Sequence, residues 1–347
     1  MLRNSMKKIL FSVTALFAVV SLVAAGCSDD NDNENVSSAD KPSIVVTTNI
    51  LGDVVSNMVG DSFNVEVIMP PGSDPHDFQA SAQQVEKMMS ADLLIVNGAN
   101  FEEGMLSVIE SAEADGVMVF EAISVVSQLE GSDDHGHDDH EGHDDHDDDK
   151  DHDDHEGHDD HDDHEGHDHG GIDPHFFTDP ARMAVVVEEL SEFLVANFPN
   201  VDQGFVSTAN DYAQELIDLD EEVNEILSEI PQEGKVLVTN HAVFAYFADS
   251  YGFEILGEII PSASTLSSAN AQQLASLADE LSSNSVKAIF ADASASDTLA
   301  RTLAAEVGDI EVITLFTESL GEPGSSGANY IEMVKFNAQA IASGLVG

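Results

Sequence analysis

Short, continuously apolar runs alternate with amphipathic stretches along most of the chain. Runs such as 43–48 (SIVVTT) and 92–97 (DLLIVN) are typical of strands that are buried on both faces of a parallel sheet. Between these runs, apolar residues recur every three or four positions, which predicts helices. The alternation predicts an α/β fold built on parallel sheets. The other predicted strands are 63–69, 116–120, 235–239, 254–260, 286–290 and 310–316, and the predicted helices are 81–90, 101–114, 180–196, 241–250, 269–282, 296–307 and 326–343.

One longer pattern separates two groups of alternating elements. Between about residues 202 and 230, apolar side chains return at steps of four and three, which places them on one face of a long helix. Pro231 ends the pattern. The apolar stripe consists of Tyr212, Leu216, Leu219, Val223, Ile226 and Ile230. We therefore predict two α/β lobes, at 43–200 and 232–347, joined by a single long helix at 201–231.

The first 26 residues have the parts of an export signal. Arg3, Lys7 and Lys8 precede the apolar run 9–25, which ends in small residues directly before Cys27. We predict a signal peptide at 1–26, lipidation of Cys27 as in a bacterial lipobox, and a polar, flexible tether at 27–42. An uncleaved membrane anchor is the alternative, since the run 9–25 is at the short end for a membrane span.

The composition narrows the possible classes of function. The chain carries 67 Asp and Glu against 11 Lys and Arg, so it lacks the clustered cations that nucleic acids and anionic lipid headgroups require. A single cysteine excludes a disulfide framework and a Cys-rich zinc site. Twelve of the 15 histidines lie between His135 and His169, which leaves His76, His175 and His241 isolated in the rest of the chain.

The isolated histidines and one glutamate follow apolar runs or a stiff Asp-Pro turn. His76 follows a predicted strand in MPPGSDPH, His241 follows KVLVT, and Glu318 follows IEVITLF. The carboxyl ends of parallel strands form the edge at which α/β proteins bind ligands. His175 ends a second Asp-Pro-His sequence. A hydrogen-bonded structural role explains any one of these histidines more simply, but three imidazoles and a carboxylate together complete a tetrahedral shell. Such a shell favours Zn²⁺ over Mn²⁺, whereas Ca²⁺ or Mg²⁺ would require mostly oxygen ligands.

These motifs, in this order, resemble the metal-binding lipoproteins of bacterial zinc/manganese ABC transporters. The matching segments are PPGSDPHDFQAS, DPHFFTDP, TNHAVFAYFADSYG, IFADASASDTLARTLAAEVG and LFTESLG, and the resemblance covers residues 43–347. It implies two lobes joined by a long rigid helix, with metal held in the cleft by His76, His175 and His241. The position of His241 is His in zinc-type members and Glu in typical manganese-type members. Because the fourth ligand of the family is usually Asp or water, the resemblance leaves open whether Glu318 or water completes the shell.

A tract of repeated His and Asp residues interrupts the first predicted lobe. DDHEGHDDHD occurs at 138–147 and again at 153–162, without an apolar residue to bury, which predicts a disordered loop at 133–169. A purely solvated acidic loop is the alternative, but such a loop does not need twelve histidines. We predict weak secondary zinc sites that gather or buffer metal near the cleft. Their ligands are His135, His137, His140, His143, His146, His152, His155, His158, His161, His164, His167 and His169.

The predicted function is the capture of a metal ion, not catalysis. We expect an exported monomer, lipid-anchored on the extracytoplasmic (periplasmic) face of the cell membrane, that delivers Zn²⁺ to an ABC permease with its cytoplasmic ATPase. Three alternatives remain: a manganese-type member of the same family, a zinc-dependent hydrolase with water at an open fourth position, and a surface zinc store or adhesin. A hydrolase would need a general base, and no recognisable motif supplies one.

Overall fold

The computed structural model describes residues 41–131, 171–308 and 310–346. The predicted signal peptide, Cys27, nearly all of the predicted tether and the twelve histidines from His135 to His169 lie outside the described residues. Within the described ranges the chain forms two four-stranded sheets, and all pairings between their strands are parallel. The predicted α/β class with two parallel sheets is confirmed.

The first lobe is the part of the chain built on the first sheet. Its elements are β1 (Ser43–Val46), α1 (Asn49–Val59), β2 (Asn64–Val67), α2 (Ala82–Met89), β3 (Leu93–Val96), α3 (Leu106–Ala114) and β4 (Met118–Glu121). The strand order is β2-β1-β3-β4. Ile44 and Val46 of β1 belong to one hydrophobic cluster and Val45 to another, so this strand is buried on both faces. That double burial explains why the run is continuously apolar.

The second lobe repeats the arrangement, with the strand order β6-β5-β7-β8. Its elements are β5 (Val236–His241), α6 (Ala245–Tyr251), β6 (Glu254–Ile260), α7 (Ala271–Asn284), β7 (Ala288–Asp292), α8 (Thr298–Val307), β8 (Glu311–Leu315) and α9 (Tyr330–Val346). The two central strands are β1 and β3 in the first sheet and β5 and β7 in the second. Because the strands are parallel, the carboxyl ends of each central pair lie side by side at the same edge of their sheet.

Two helices lie between the sheets in sequence, α4 (Pro180–Asn197) and α5 (Phe205–Leu227). Helix α5 packs against α4, against α1 of the first lobe and against α9 of the second lobe. The predicted apolar stripe is its buried face, with Leu216, Leu219 and Val223 nearly inaccessible to solvent. These side chains belong to one hydrophobic cluster that also includes residues of both sheets. The rigidity of α5 and the predicted domain boundaries stay predictions. Neither α5 nor another described helix has the length and apolar character needed to cross a membrane.

The structure differs from the sequence prediction in one missed helix and in the starts of several others; α5 and α9, for example, begin four residues later than predicted, at Phe205 and Tyr330. Helix α1 was not predicted, although its buried residues recur with a helical period. The helix predicted from residue 101 begins at Leu106, because Gly98, Ala99 and Asn100 have positive φ and form a turn. The helix predicted from residue 241 begins at Ala245, because His241 still pairs with Ile260 in the sheet.

Candidate metal centre

Two Asp-Pro-His turns position the first two histidines. In the turn after β2, Asp74 Oδ1 accepts a hydrogen bond from the His76 backbone N–H at 2.9 Å. In the second turn, Asp173 Oδ1 accepts the corresponding bond from the His175 N–H at 2.8 Å. Aspartate side chains commonly bond the backbone two residues ahead in this way, and the proline between them stiffens the turn. Each turn therefore fixes the backbone from which its imidazole projects.

The other two residues lie at the carboxyl ends of strands in the second sheet. His241 is the last residue of β5, and Glu318 lies three residues after β8. Next to Glu318, the Ser319 hydroxyl accepts a hydrogen bond from the Asn49 side chain at 2.8 Å. The position of Glu318 is thereby tied to the start of α1 in the first lobe.

All four predicted ligands meet at one buried point between the lobes. The Nε2 atoms of His76, His175 and His241 lie 2.9, 3.2 and 2.8 Å from Glu318 Oε1. Four potential ligand atoms, one from each residue, all lie within 4.8 Å of one another. The four residues are at most 2% exposed. The side chain of Glu318 is thus long enough to reach all three imidazoles, as a fourth ligand would have to.

The charges in this cluster stabilise one another. Burial alone would raise the pKa of Glu318, but His241 and the hydrogen bonds from the imidazoles hold that pKa well below its usual value. Burial would likewise lower the pKa of His76, yet hydrogen bonds to Glu103 and Glu318 raise it to about 10. The pKa of His175 is also raised, since Asp173 and Glu318 outweigh the effect of burial. A cation could therefore replace protons on these imidazoles while Glu318 stays ionised.

Two further carboxylates orient the histidines from outside the cluster. His76 Nδ1 lies 3.1 Å from Glu103 Oε1, and His175 Nδ1 lies 2.8 Å from Asp173 Oδ1. A carboxylate that binds Nδ1–H directs Nε2 toward a metal ion and makes the imidazole a better ligand. The sequence prediction missed both partners. The repeated Asp-Pro-His sequence was a signal for Asp173, but Glu103 is distant in sequence from His76 and had none.

Unsatisfied polar atoms indicate that the cluster can accept a cation. Among the described residues, Glu318 Oε2 is buried without a hydrogen-bond donor, and His241 Nδ1 is buried without a partner. A buried carboxylate oxygen is costly to leave unpaired. A divalent cation bound by the three Nε2 atoms and the Glu318 carboxylate would offset the cost of burying Oε2 without a hydrogen-bond donor. The donor set, three imidazoles and one carboxylate, suits a borderline divalent metal.

Two buried carboxylates near the centre have other roles. Glu102 accepts hydrogen bonds from Thr47 Oγ1 at 2.6 Å and from the Asn97 N–H at 2.7 Å, and so holds the turn that precedes Glu103. Asp292, at the end of β7, accepts bonds from the backbone and hydroxyl of Ser294. Burial raises the pKa of Asp292, and the charge of Glu318 raises it further. The sequence prediction missed both of these carboxylates as well.

Comparisons with known proteins agree with this arrangement. Residues 44–344 match the family model described as zinc-uptake complex component A, periplasmic. The manganese ABC transporter substrate-binding lipoprotein PsaA of Streptococcus anginosus is 26% identical over 353 residues, covering 98% of this chain and 99% of that protein. The manganese-binding lipoprotein MntA of Halalkalibacterium halodurans is 26% identical over 341 residues, with the same coverage.

A solved structure with this fold is the periplasmic zinc binding protein TroA from Treponema pallidum. The two chains superpose with a TM-score of 0.71 and are 26% identical, and the match covers 88% of this chain and 99% of TroA. The relatives named here include proteins titled for manganese and for zinc. The comparisons therefore indicate a metal-binding protein without deciding between the two metals.

Proposed function

This chain belongs to the ZnuA family of periplasmic metal-uptake components, and from that premise we propose that it captures Zn²⁺ outside the cytoplasm and delivers it to an ABC permease. Membership of a family of transporter components confirms the prediction that the chain is not an enzyme. The hydrolase alternative is therefore dropped.

One observation supports the metal site above all others. Three imidazole Nε2 atoms converge on one oxygen of Glu318 in a buried space between the lobes. Burying four ionisable side chains costs desolvation energy that apolar side chains would avoid, so their convergence favours a binding role over simple packing. We propose His76, His175, His241 and Glu318 as the ligands of the transported ion.

Zinc is the metal that the donor set favours. Three neutral nitrogens and one carboxylate make a four-coordinate shell of the kind that Zn²⁺ accepts readily. Manganese prefers sites richer in carboxylate and water oxygen. The imidazole at His241 therefore supports zinc, in line with the zinc-type members that the sequence resembles at this position.

Manganese is the second candidate, and a specific observation favours it. Curated relatives that align over almost the whole chain, such as PsaA and MntA, carry manganese in their names. Direct competition between the two ions has to decide.

We propose that the signal at 1–26 directs export, that Cys27 carries the lipid anchor, and that the histidine tract gathers zinc near the cleft. The partner would be a membrane permease with its ATPase, and the binding protein would act as a monomer. A surface zinc store or adhesin would lack that partner, so genes for a permease and an ATPase beside this one would argue against that alternative.

Metal titration of three variants tests the proposal. The wild-type protein should bind one Zn²⁺ tightly in competition with a chelator and should prefer Zn²⁺ to an excess of Mn²⁺. His241→Ala and Glu318→Ala should each weaken that site by more than about 100-fold, since even partners outside the ligand shell alter affinity by 10- to 100-fold. Asp77→Asn, which removes an exposed charge beside His76, is the matched control and should bind as wild type does. Selective retention of Mn²⁺ by the wild type would overturn the choice of zinc.

A further inference from the structure

A cavity of about 280 Å³ lies directly beside the metal centre. Its lining includes His76 and Glu103 from the first lobe, and Pro261 and Ser264 from the segment that follows β6 in the second. Of the four proposed ligands, His76 is the one that lines this cavity. Its wall reaches the surface, because the Glu103 side chain is 32% exposed. The His76 ring therefore lies between this cavity and the other three proposed ligands.

The backbone of His76 is held firmly from both lobes. Asp74 Oδ1 accepts the His76 N–H, and Asp74 Oδ2 accepts the hydroxyl of Thr265, from the second lobe, at 2.7 Å. This pair of bonds leaves little freedom at the base of the side chain. With the turn held in this way, rotation of the His76 imidazole is the smallest movement that would let an ion pass.

The ring of His76 has a different kind of support. The ring packs against Phe101 in a T-shaped arrangement with ring centroids 5.1 Å apart, and its Nδ1 bonds Glu103 at 3.1 Å. Glu103 belongs to a short 3-10 helix, Glu103–Met105, and not to the turn that carries the histidine. The orientation of the ring thus depends on a carboxylate supplied by another segment.

The His76–Glu103 pair is more exposed to solvent than the corresponding His175–Asp173 pair. The partner of His175, Asp173, is almost fully buried and sits in the same turn as its histidine. Glu103 is partly exposed, so water can compete for its hydrogen bond to His76. His175 is consequently a fixed ligand, whereas His76 has a hold that can be released at the cavity.

We infer that Glu103 is a positioning residue that controls how fast the metal ion enters and leaves, by holding the His76 imidazole in its ligating orientation. The inference rests on the proposed function of the same site. Glu103 does not ligate the ion in this scheme. It accepts Nδ1–H, keeps Nε2 directed at the centre and, when its bond breaks, frees the ring to turn into the cavity.

Metal release kinetics of the full-length protein test this role. Zinc-loaded wild type, Glu103→Ala, Glu103→Gln and Asp77→Asn are mixed with excess chelator, and the slow phase of zinc release is followed. Glu103→Ala should release zinc about 10- to 100-fold faster, the range by which such orienting partners change metal affinity. Glu103→Gln keeps an oxygen that can accept Nδ1–H, so it should restore much of the wild-type rate. Asp77→Asn, which removes an exposed charge next to His76 without touching the ring, should leave the rate unchanged.

A second readout separates orientation from general loosening. In zinc-loaded protein labelled with ¹⁵N, long-range NMR correlations of His76 should report a protonated Nδ1 and a bound Nε2, and Glu103→Ala should broaden or shift these signals while those of His175 stay in place. Equal release rates in Glu103→Ala and wild type would overturn the inference, as would equal acceleration in Asp77→Asn. Wild type without a slow zinc phase would instead overturn the proposed function itself.

Discussion

Asn49 and Ser319 join the two lobes beside the metal centre, across 270 positions of sequence. The Asn49 amide donates to Ser319 Oγ at 2.8 Å, and Asn49 Oδ1 accepts the Leu320 N–H at 2.7 Å. Ser319 Oγ also accepts the Gly72 N–H at 2.8 Å, from the turn that leads to His76. One buried side chain at the start of α1 thus links the loops that carry two of the proposed ligands.

Replacing Asn49 should weaken both the fold and the metal site. Asn49→Ala leaves the buried Leu320 N–H without its acceptor, which should lower the free energy of unfolding by about 1–3 kcal/mol. Metal affinity should fall as well, because Glu318 is the neighbour of Ser319. Urea denaturation and zinc competition measure the two effects. The control is Asn197→Ala, whose exposed side chain donates to the Phe193 carbonyl oxygen one turn earlier in α4. Equal stability of the two variants would contradict the role of the bridge.

Zinc binding should release protons at neutral pH. In the metal-free protein the pKa of His76 is about 10, because its bonds to Glu103 and Glu318 outweigh the effect of burial, and the pKa of His175 is raised for a similar reason. Zinc requires neutral imidazoles, so binding at pH 7.5 should displace about one to two protons, and affinity should fall up to tenfold per pH unit for each proton. Calorimetry in two buffers of different ionisation enthalpy gives the number directly.

The raised pKa of His76 makes the metal-free protein less stable as the pH rises, whereas zinc affinity increases. Because folding raises the pKa of His76 from 6.5 to about 10, protonation of this histidine stabilises the folded state. The contribution is fully present below pH 6.5 and is lost as the pH rises through about 10. Metal-free protein should therefore lose stability over the pH range in which zinc affinity improves. Affinity that does not change between pH 6 and pH 9 would contradict the protonated state inferred for His76.

Glu258 should destabilise the fold above neutral pH. Burial in β6 raises its pKa from 4.5 to about 7. A raised carboxyl pKa means that the folded state holds the proton more tightly, so the contribution to stability is present below pH 4.5 and is lost as the pH rises through about 7. Glu258→Gln should gain up to about 3 kcal/mol over wild type at pH 8.5 and little at pH 4.5. Urea denaturation at both values checks this, with exposed Glu254→Gln on the same strand as the control. A similar gain at the two pH values would refute the titration of Glu258.

The parts of the fold that the sequence predicted are those with local causes. Strands such as β1 and β3 are buried on both faces, so their sequences are continuously apolar. The stripe on α5 has the helical period because one face of that helix is buried. His241 and Glu318 could be placed at one sheet edge because parallel strands share a direction. This placement does not depend on knowing which strands are neighbours in the sheet.

The features that the sequence could not predict depend on contacts between distant segments. His175 owes its place to bonds from the Asn97 side chain to Pro174 O at 2.9 Å and from the Tyr246 hydroxyl to Asp173 O at 2.9 Å. Glu103 meets His76 only because two turns of the first lobe fold together. The late start of α3 follows from the positive φ of Ala99 and Asn100, which Glu102 holds by bonding back to Asn97. None of these pairings has a sequence period.

Deleting the histidine tract should remove weak zinc sites and leave the tight site intact. Gly131 N–H donates to Gly171 O at 2.8 Å, and Asp173 N–H donates to Leu129 O at 2.9 Å, so the two ends of the tract leave the fold side by side. A protein lacking residues 133–168 can therefore be closed by the few residues that remain, without disturbing Asp173 or His175. Zinc titration should show one tight ion per chain and the loss of weaker ions. A full-length protein with the tract histidines replaced by Asn is the matched control and should behave in the same way. Loss of tight binding in both proteins would mean that histidines of the tract complete the primary site, and Glu318 would then lose its assignment as the fourth ligand.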